Sequence, residues 1–245
     1  MAHWYSILGG TLRSDLELPE AIPIEEPRSP ADFRISLGPI DYDKSSAAPV
    51  THRSYINQET EYLLEIEDVA KFKVAEEGRI TIAIEDRADP ADVRAYLLGT
   101  VLTSLCYRRD LIPLHASCVR LPRGAVAVTG SSGAGKSTLA ACLAGQEHAV
   151  ISDDTCAVDL SHDQLFVLPT VSRIKLWPTS LGIVGVDHRH SNRSDGMGKF
   201  HFHKLNDAEP IVSASPLAAI FVLEKVEGIE KPELSRISDP KEAIG

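Results

Sequence analysis

Gly130-Ser131-Ser132-Gly133-Ala134-Gly135-Lys136-Ser137-Thr138 fits the pattern G-x-x-x-x-G-K-[ST] without a gap. A turn wrapped around a nucleotide's phosphates must aim backbone N–H groups inward, and side chains would block that approach. Gly130, Gly133 and Gly135 supply the permissive backbone. Lys136 offers a point charge for the β and γ oxygens, and the Ser137 hydroxyl is placed to ligate Mg²⁺. The flanks agree with this reading. Ala125-Val126-Ala127-Val128-Thr129 is the pattern of a buried strand, and Leu139-Ala140-Ala141-Cys142-Leu143-Ala144 that of a helix whose N-terminus faces the bound anion. All nine residues, Gly130 through Thr138, are therefore expected at the nucleotide. A chance Gly/Ser-rich loop is the competing reading, and the strand before and helix after weigh against it.

Further along, Ala149-Val150-Ile151-Ser152 reads as another buried strand and ends in Asp153-Asp154. Phosphoryl transfer needs a metal bridging phosphate oxygens and a carboxylate to hold the metal or receive the acceptor's proton. If this strand lies beside the loop strand, Asp153 and Asp154 come close to Lys136 and Ser137. One aspartate, with Ser137, would then serve Mg²⁺ and the other the acceptor hydroxyl; a strand-ending turn is the plainer alternative. On the other side, His115 sits in the strand pattern Leu114-His115-Ala116-Ser117-Cys118-Val119. It suits a phosphate contact, an aspartate-orienting role, or an ordinary hydrogen bond at a strand edge. The pairs His188-x-His190 and His201-x-His203 have metal-site spacing but no cysteine or carboxylate cluster to complete a site, which favours a solvated face. Segment 182–198 reads as a mobile loop; Arg189 and Arg193 within it and Lys199 just after it suit closure onto the γ-phosphate or the acceptor, with plain surface charge the more frequent explanation.

From about Leu111 onward strands alternate with short helices, with later strands at Gln164 to Leu168, Phe200 to His203 and Ala218 to Leu223. This predicts an α/β core with a mixed sheet over residues 89–245. Residues 1–88 predict a small antiparallel β-rich lobe: strands at Trp4 to Leu8, Phe33 to Leu37, Glu61 to Ile66, Lys71 to Val74 and Arg79 to Ile84, with a hairpin turn at Glu76-Glu77-Gly78. A proline-punctuated stretch from Leu18 to Pro30 and a surface loop from Asp41 to Val50 separate the early strands. Asp89-Pro90 marks a helix start, and Val93, Leu97, Val101, Leu102 and Leu105 continue it at helical spacing to Arg108-Arg109. The helix is expected to pack on the central sheet. Asp239-Pro240 opens a second capped helix where the chain stops, so the natural C-terminal end is expected to lie further on.

Composition narrows the classes. The 245 residues carry a formal charge of −10, which argues against a nucleic-acid partner. No apolar run approaches the roughly 20 residues of a membrane span, and the N-terminus lacks a signal peptide's basic and apolar regions. Four scattered cysteines with no C-x-x-C pair read as buried thiols in a reducing compartment. The expectation is a cytoplasmic globular enzyme.

The run Leu114-His115-Ala116-Ser117, then Gly124 through Ser137, then Ile151-Ser152-Asp153-Asp154 resembles the catalytic domain of HPr kinase/phosphorylase. That family carries a strand histidine, a G-x-S-G-x-G-K-S loop and a strand ending in Asp-Asp, in this order. The resemblance is strong over about residues 111–160 and continues weakly through Pro169 to Pro178. It implies a core of the HPr kinase type, with catalytic roles for His115, Asp153 and Asp154; Lys136 joins this catalytic set from the loop chemistry, as the cation that holds the developing charge. The family's glycine-rich signature with its metal-binding glutamate has no counterpart after Asp154, and its N-terminal domain is not evident. The opening Tyr5-Ser6-x-x-Gly9-Gly10-x-Leu12-Arg13-Ser14-Asp15-Leu16-x-Leu18-Pro19 is similar to the shorter HPr-kinase-like proteins encoded with lasso peptide precursors. Those phosphorylate a serine of the precursor peptide. The function expected is an ATP- and Mg²⁺-dependent kinase acting on a serine hydroxyl of a peptide or small protein. A nucleotide-binding regulatory module and a small-molecule kinase are the alternatives.

Overall fold

The computed structural model describes residues 2–41, 48–50, 53–57, 61–75, 78–171, 173–191, 193–194, 198–203, 205–226, 228 and 231–237, with only the backbone described at 48–50, 53–57 and 193–194. The fold is mixed α/β, rich in strands and poor in helices. Its first half is a nine-stranded sheet: β1 His3–Ile7, β2 Gly10–Ser14, β3 Ile22–Pro23, β4 Phe33–Leu37, β5 Ala48–Val50, β6 Arg53–Asn57, β7 Glu61–Ile66, β8 Ala70–Ala75 and β9 Arg79–Ile84. Their spatial order is β3-β1-β2-β4-β9-β8-β7-β6-β5.

The small antiparallel lobe expected from the sequence is corrected here in both size and kind. β4 pairs in parallel with both β2 and β9. Parallel neighbours need a long crossover instead of a hairpin, and the proline-punctuated stretch between Ser14 and Phe33 is the connection that turns the chain back. Ala48–Val50, expected in a loop, forms β5 against β6. The expected hairpin turn at Glu76-Glu77 lies outside the described residues, though β8 and β9 pair antiparallel with Val74 opposite Ile80.

The helix predicted from Asp89 forms as α1 Pro90–Tyr96, a π-helical stretch Leu97–Val101, and α2 Leu102–Arg108. The Asp89 carboxylate accepts from the Ala91 N–H at 2.8 Å and caps it. Its apolar stripe of Val93, Leu97, Leu98, Val101, Leu102 and Leu105 packs into one core with Phe33, Phe72 and Val74, so the helix lies on the N-terminal sheet.

The second half builds a seven-stranded sheet in the order β10-β14-β15-β19-β12-β11-β13. Its strands are β10 Leu111–Leu114, β11 Ser117–Leu121, β12 Gly124–Gly130, β13 Val150–Ser152, β14 Cys156–Asp159, β15 Phe166–Leu168 and β19 Ser215–Leu223. Helix α3 Lys136–Ala144 follows β12. Helix α4 Pro178–Val184 ends inside the segment read as a mobile loop, and a 3₁₀ turn at His188–His190 gives a further part of it regular structure. A small third sheet holds β16 Ile174–Leu176, β17 Arg193–Ser194 and β18 Phe200–Phe202. Three of the four cysteines are buried, and burial pushes the Cys106 thiol up to about 12.

Two details position the site. The single strand expected over Leu114–Val119 breaks at His115-Ala116, because β10 pairs with β14 whereas β11 pairs with β12 and β13. In addition, β13 is not adjacent to β12. Both run antiparallel to β11, which lies between them, so their C-terminal ends still emerge on the same side.

Gly130 has a role that the sequence pattern does not reveal. Its φ is +138°, and a Cβ there would stand 2.4 Å from the Leu223 carbonyl oxygen of the neighbouring strand. Gly133, at φ +78°, faces open space. Gly133→Ala is expected to cost about 1 kcal/mol of left-handed strain, and Gly130→Ala, which adds a backbone clash, roughly 3 kcal/mol. Chemical denaturation of the two variants measures the difference.

Candidate functional site

The site is assembled where four chain segments meet: the break at His115, the glycine-rich loop, the turn after β13, and β16. The loop leaves β12 at Gly130, and the Ala134 N–H closes onto the Ser131 carbonyl at 3.1 Å. The chain enters α3 through Gly135, at φ +107°. Lys136 is the first residue of α3 and is buried; its ammonium donates to the carbonyls of Gly130 at 2.8 Å and Ser131 at 3.1 Å. Ser131, Ser132 and Gly133 form the exposed crest of the loop, with Ala134 half-buried. Backbone N–H groups at a helix N-terminus, with a lysine beside them, make an anion-binding arrangement. The Thr138 hydroxyl bonds to the Ser180 hydroxyl at 2.8 Å and ties α3 to α4.

Asp153 joins the loop to the acidic turn. Its side chain is 4% exposed and its carboxylate accepts three hydrogen bonds. Oδ1 takes the hydroxyls of Ser117 at 2.6 Å and Ser137 at 2.9 Å, and Oδ2 takes the Lys175 N–H at 3.0 Å. Burial, and then the charge of Asp154, push its pKa up against these three donors.

Asp154 faces a different environment. It sits at φ +71°, and its carboxylate forms an ion pair with the Lys175 ammonium. Burial would raise its pKa, but Lys175 first, then Arg173 and Lys199, outweigh burial and hold it below the usual carboxylate range. Two adjacent carboxylates thus differ in character, one buried and reluctant to ionise, the other held ionised among cations. The His115 imidazole bonds through Nδ1 to the Asp154 carbonyl at 3.0 Å. A carbonyl only accepts, so Nδ1 carries the proton, and in the neutral ring Nε2 is the basic nitrogen. Lys199 lies over the half-exposed Trp177, 5.0 Å from the ring centroid.

The structure therefore brings together Lys136, Ser137, Asp153, Asp154 and His115, as the sequence reading expects. Three further members escaped that reading: Ser117, Arg173 and Lys175. The signal was present in Arg173-Ile174-Lys175-Leu176, where two cations alternate with two buried apolar residues, Arg173 just before β16 and Lys175 within it. Of the histidine pairs, His201 is buried in β18 and not on a solvated face, and burial lowers the pKa of half-buried His203. Among the described residues no group of three or more histidine, cysteine or acidic side chains forms a metal cluster. The donors around the loop are all oxygens, from Ser137, Asp153 and Asp154, a set that suits a hard cation such as Mg²⁺. Arg193's side chain lies outside the described residues. Arg189 pairs with Asp187 on the surface.

Comparison with known proteins returned no matching family model and no matching curated protein. Among the described residues no helix is long and apolar enough to cross a membrane.

Proposed function

We propose that this chain is an ATP- and Mg²⁺-dependent kinase of the HPr kinase type, which transfers the γ-phosphoryl group to a serine hydroxyl of a peptide or small protein. A lasso peptide precursor is the acceptor class suggested by the resemblance of the N-terminal segment. The observation that carries the reading is the Ser137–Asp153 hydrogen bond, which ties the glycine-rich loop directly to an acidic pair. Nucleotide binding alone has no need of a second, ionised carboxylate beside it.

In the proposed mechanism the loop amides and Lys136 hold the β and γ phosphates, within a core of the P-loop kind. Ser137 and Asp153 would hold Mg²⁺, which when bound neutralises charge on the phosphate oxygens. The acceptor's serine oxygen attacks the γ phosphorus as the bond to the β–γ bridging oxygen breaks, and ADP leaves. Asp154 takes the hydroxyl proton. Its low basicity is tolerable because the transition state is loose and the proton moves late. Lys175 and Arg173 offset the charge on the transferred group, and His115 anchors the turn through the Asp154 carbonyl.

Incubating the protein with Mg²⁺, γ-labelled ATP and a panel of serine-containing peptides tests the reading. Label on a peptide, lost when its serine is changed to alanine, is the expected result. Tight ATP binding without transfer to any acceptor would replace the kinase with a regulatory module, and transfer only to small metabolites would replace the acceptor class.

A further inference from the structure

The cations around Asp154 are held in different ways, and the difference decides what each can do. Lys175 stands in the middle of β16, and its neighbours Ile174 and Leu176 are buried in one core with Ala140 and Ala141 of α3. Alternation along the strand sends Lys175 to the other face, where its ammonium pairs with Asp154. That carboxylate cancels its charge. Arg173 is only 3% exposed, too deep to follow a group that enters from solvent. Lys199 is held by a different kind of partner. β16 and β18 pair as Ile174–Phe202, Lys175–His201 and Leu176–Phe200. Just past that last pair the chain brings Lys199 to Trp177, with the ammonium 5.0 Å from the ring centroid. This is within the roughly 6 Å reach of a cation–π contact. An indole carries no formal charge, so it orients the ammonium without neutralising it. The charge of Lys199 is felt at Asp154, whose pKa it helps to lower.

The indole is itself tied to the glycine-rich loop. Trp177 is 41% exposed, so its ring is not there to fill the core. Its backbone opens α4: Pro178 follows at the first helical position, and the Trp177 carbonyl accepts the Ser180 N–H at 2.9 Å. The Ser180 hydroxyl in turn bonds that of Thr138, in the first turn of α3, at 2.8 Å. Trp177 therefore lies between Lys175, which meets the acidic turn, and Ser180, which meets the helix that carries the loop. A cation resting on its ring is aimed at the space that both border.

Phosphoryl transfer spreads negative charge over the equatorial oxygens of the moving group, and a cation helps there only if its own charge is still available. We propose that Lys199 is the cation that meets the γ-phosphoryl group during transfer, and that Trp177 is the positioning residue that aims it. The assignment rests on the kinase reading above and adds to it a group outside the loop and the acidic pair. As the phosphoryl oxygens gain charge, the ammonium turns from the ring toward them, and the face of Trp177 loses its cation.

Two measurements on the full chain test this. In the first, Trp4→Phe leaves Trp177 as the sole tryptophan. Its fluorescence is followed as Mg²⁺, ADP and aluminium fluoride, a mimic of the transferring phosphoryl group, are added. A change beyond that seen with Mg²⁺ and ADP alone is expected, and it should vanish when Lys199→Met is added. In the second, transfer to a serine peptide that takes label is timed. Lys199→Met is expected to lower kcat at least roughly tenfold with the KM for ATP within about threefold, the split of a group that acts in the transition state. Trp177→Leu is expected to lower kcat as well, and Trp177→Phe, which keeps an aromatic face, to restore most of the loss. The Lys199→Met/Trp177→Leu double variant should be no slower than Lys199→Met alone, because the ring acts through the lysine. An unchanged kcat in Lys199→Met overturns the proposal, as does a double variant slower than either single one or a fluorescence response that persists without Lys199. If no peptide takes label, which counts against the kinase reading, the fluorescence response decides. A chain that binds no nucleotide overturns both; one that binds ADP and aluminium fluoride with no response at Trp177 overturns this assignment alone.

Discussion

Asp153→Asn is expected to leave a folded protein that binds ATP and has lost transfer. The asparagine keeps the shape of the carboxyl. Its carbonyl oxygen can still accept from the Lys175 N–H, and the hydroxyls of Ser117 and Ser137 can rotate to accept from its amide. The stability cost is therefore modest, about 1–3 kcal/mol. The cost also depends on pH in a definite direction. A carboxyl whose folded pKa is raised contributes its full stability below the unfolded value of about 3.9 and loses it as pH rises through the folded value. Asp153 is such a group. Asparagine does not titrate, so the variant's stability deficit relative to wild type narrows as pH rises from the acid range. Transfer responds quite differently, because an asparagine cannot ionise to hold Mg²⁺ together with Ser137. A loss of at least roughly 10²-fold in kcat is expected, with ATP affinity within a few-fold of wild type. Urea melts at several pH values and turnover of γ-labelled ATP check both arms. Wild-type turnover in this variant would remove Asp153 from the mechanism.

Lys136→Ala is expected to fail one step earlier, at the nucleotide. The ammonium is buried and donates to the carbonyls of Gly130 and Ser131, so it shapes the loop as well as charging it. Alanine removes both hydrogen bonds and the only cation that the loop itself carries. Affinity for ATP, measured by calorimetry, should fall at least roughly 10-fold for the loss of one charge-assisted contact, and transfer by more than in the Asp153 variant. The two variants thus separate holding the donor from using it. If Lys136→Ala bound ATP as tightly as wild type, the glycine-rich loop would not be the phosphate site.

Much of this site could be read in the chain because its chemistry is local. Gly130, Gly133, Gly135, Lys136 and Ser137 lie within eight residues, and Asp153-Asp154 stand where an apolar run stops. Ser117, Arg173 and Lys175 could not be found in this way, because their relevance is a matter of distance. Ser117 reaches Asp153 across 36 positions in sequence, and Lys175 joins both aspartates only because β16 passes beneath them. The two aspartates show the same division. Their identity as a pair was visible, but burial of one and the cations around the other decided which is reluctant to ionise.

The fold divides along a similar line. Strand positions such as Phe33–Leu37, Glu61–Ile66 and Arg79–Ile84, and the capped helix at Asp89, follow from alternation, propensity and a single side-chain bond, which neighbours in sequence decide. The sequence by itself thus determined an α/β chain with a glycine-rich loop between strand and helix and an acidic turn after a later strand. Only the tertiary structure decided that β4 lies parallel between β2 and β9, that β11 separates β12 from β13, and that Gly130 must lack a side chain because Leu223 approaches it. Strand pairing is a contact between segments distant in sequence, and its register is set by which surfaces can be buried together, a quantity that no local pattern encodes.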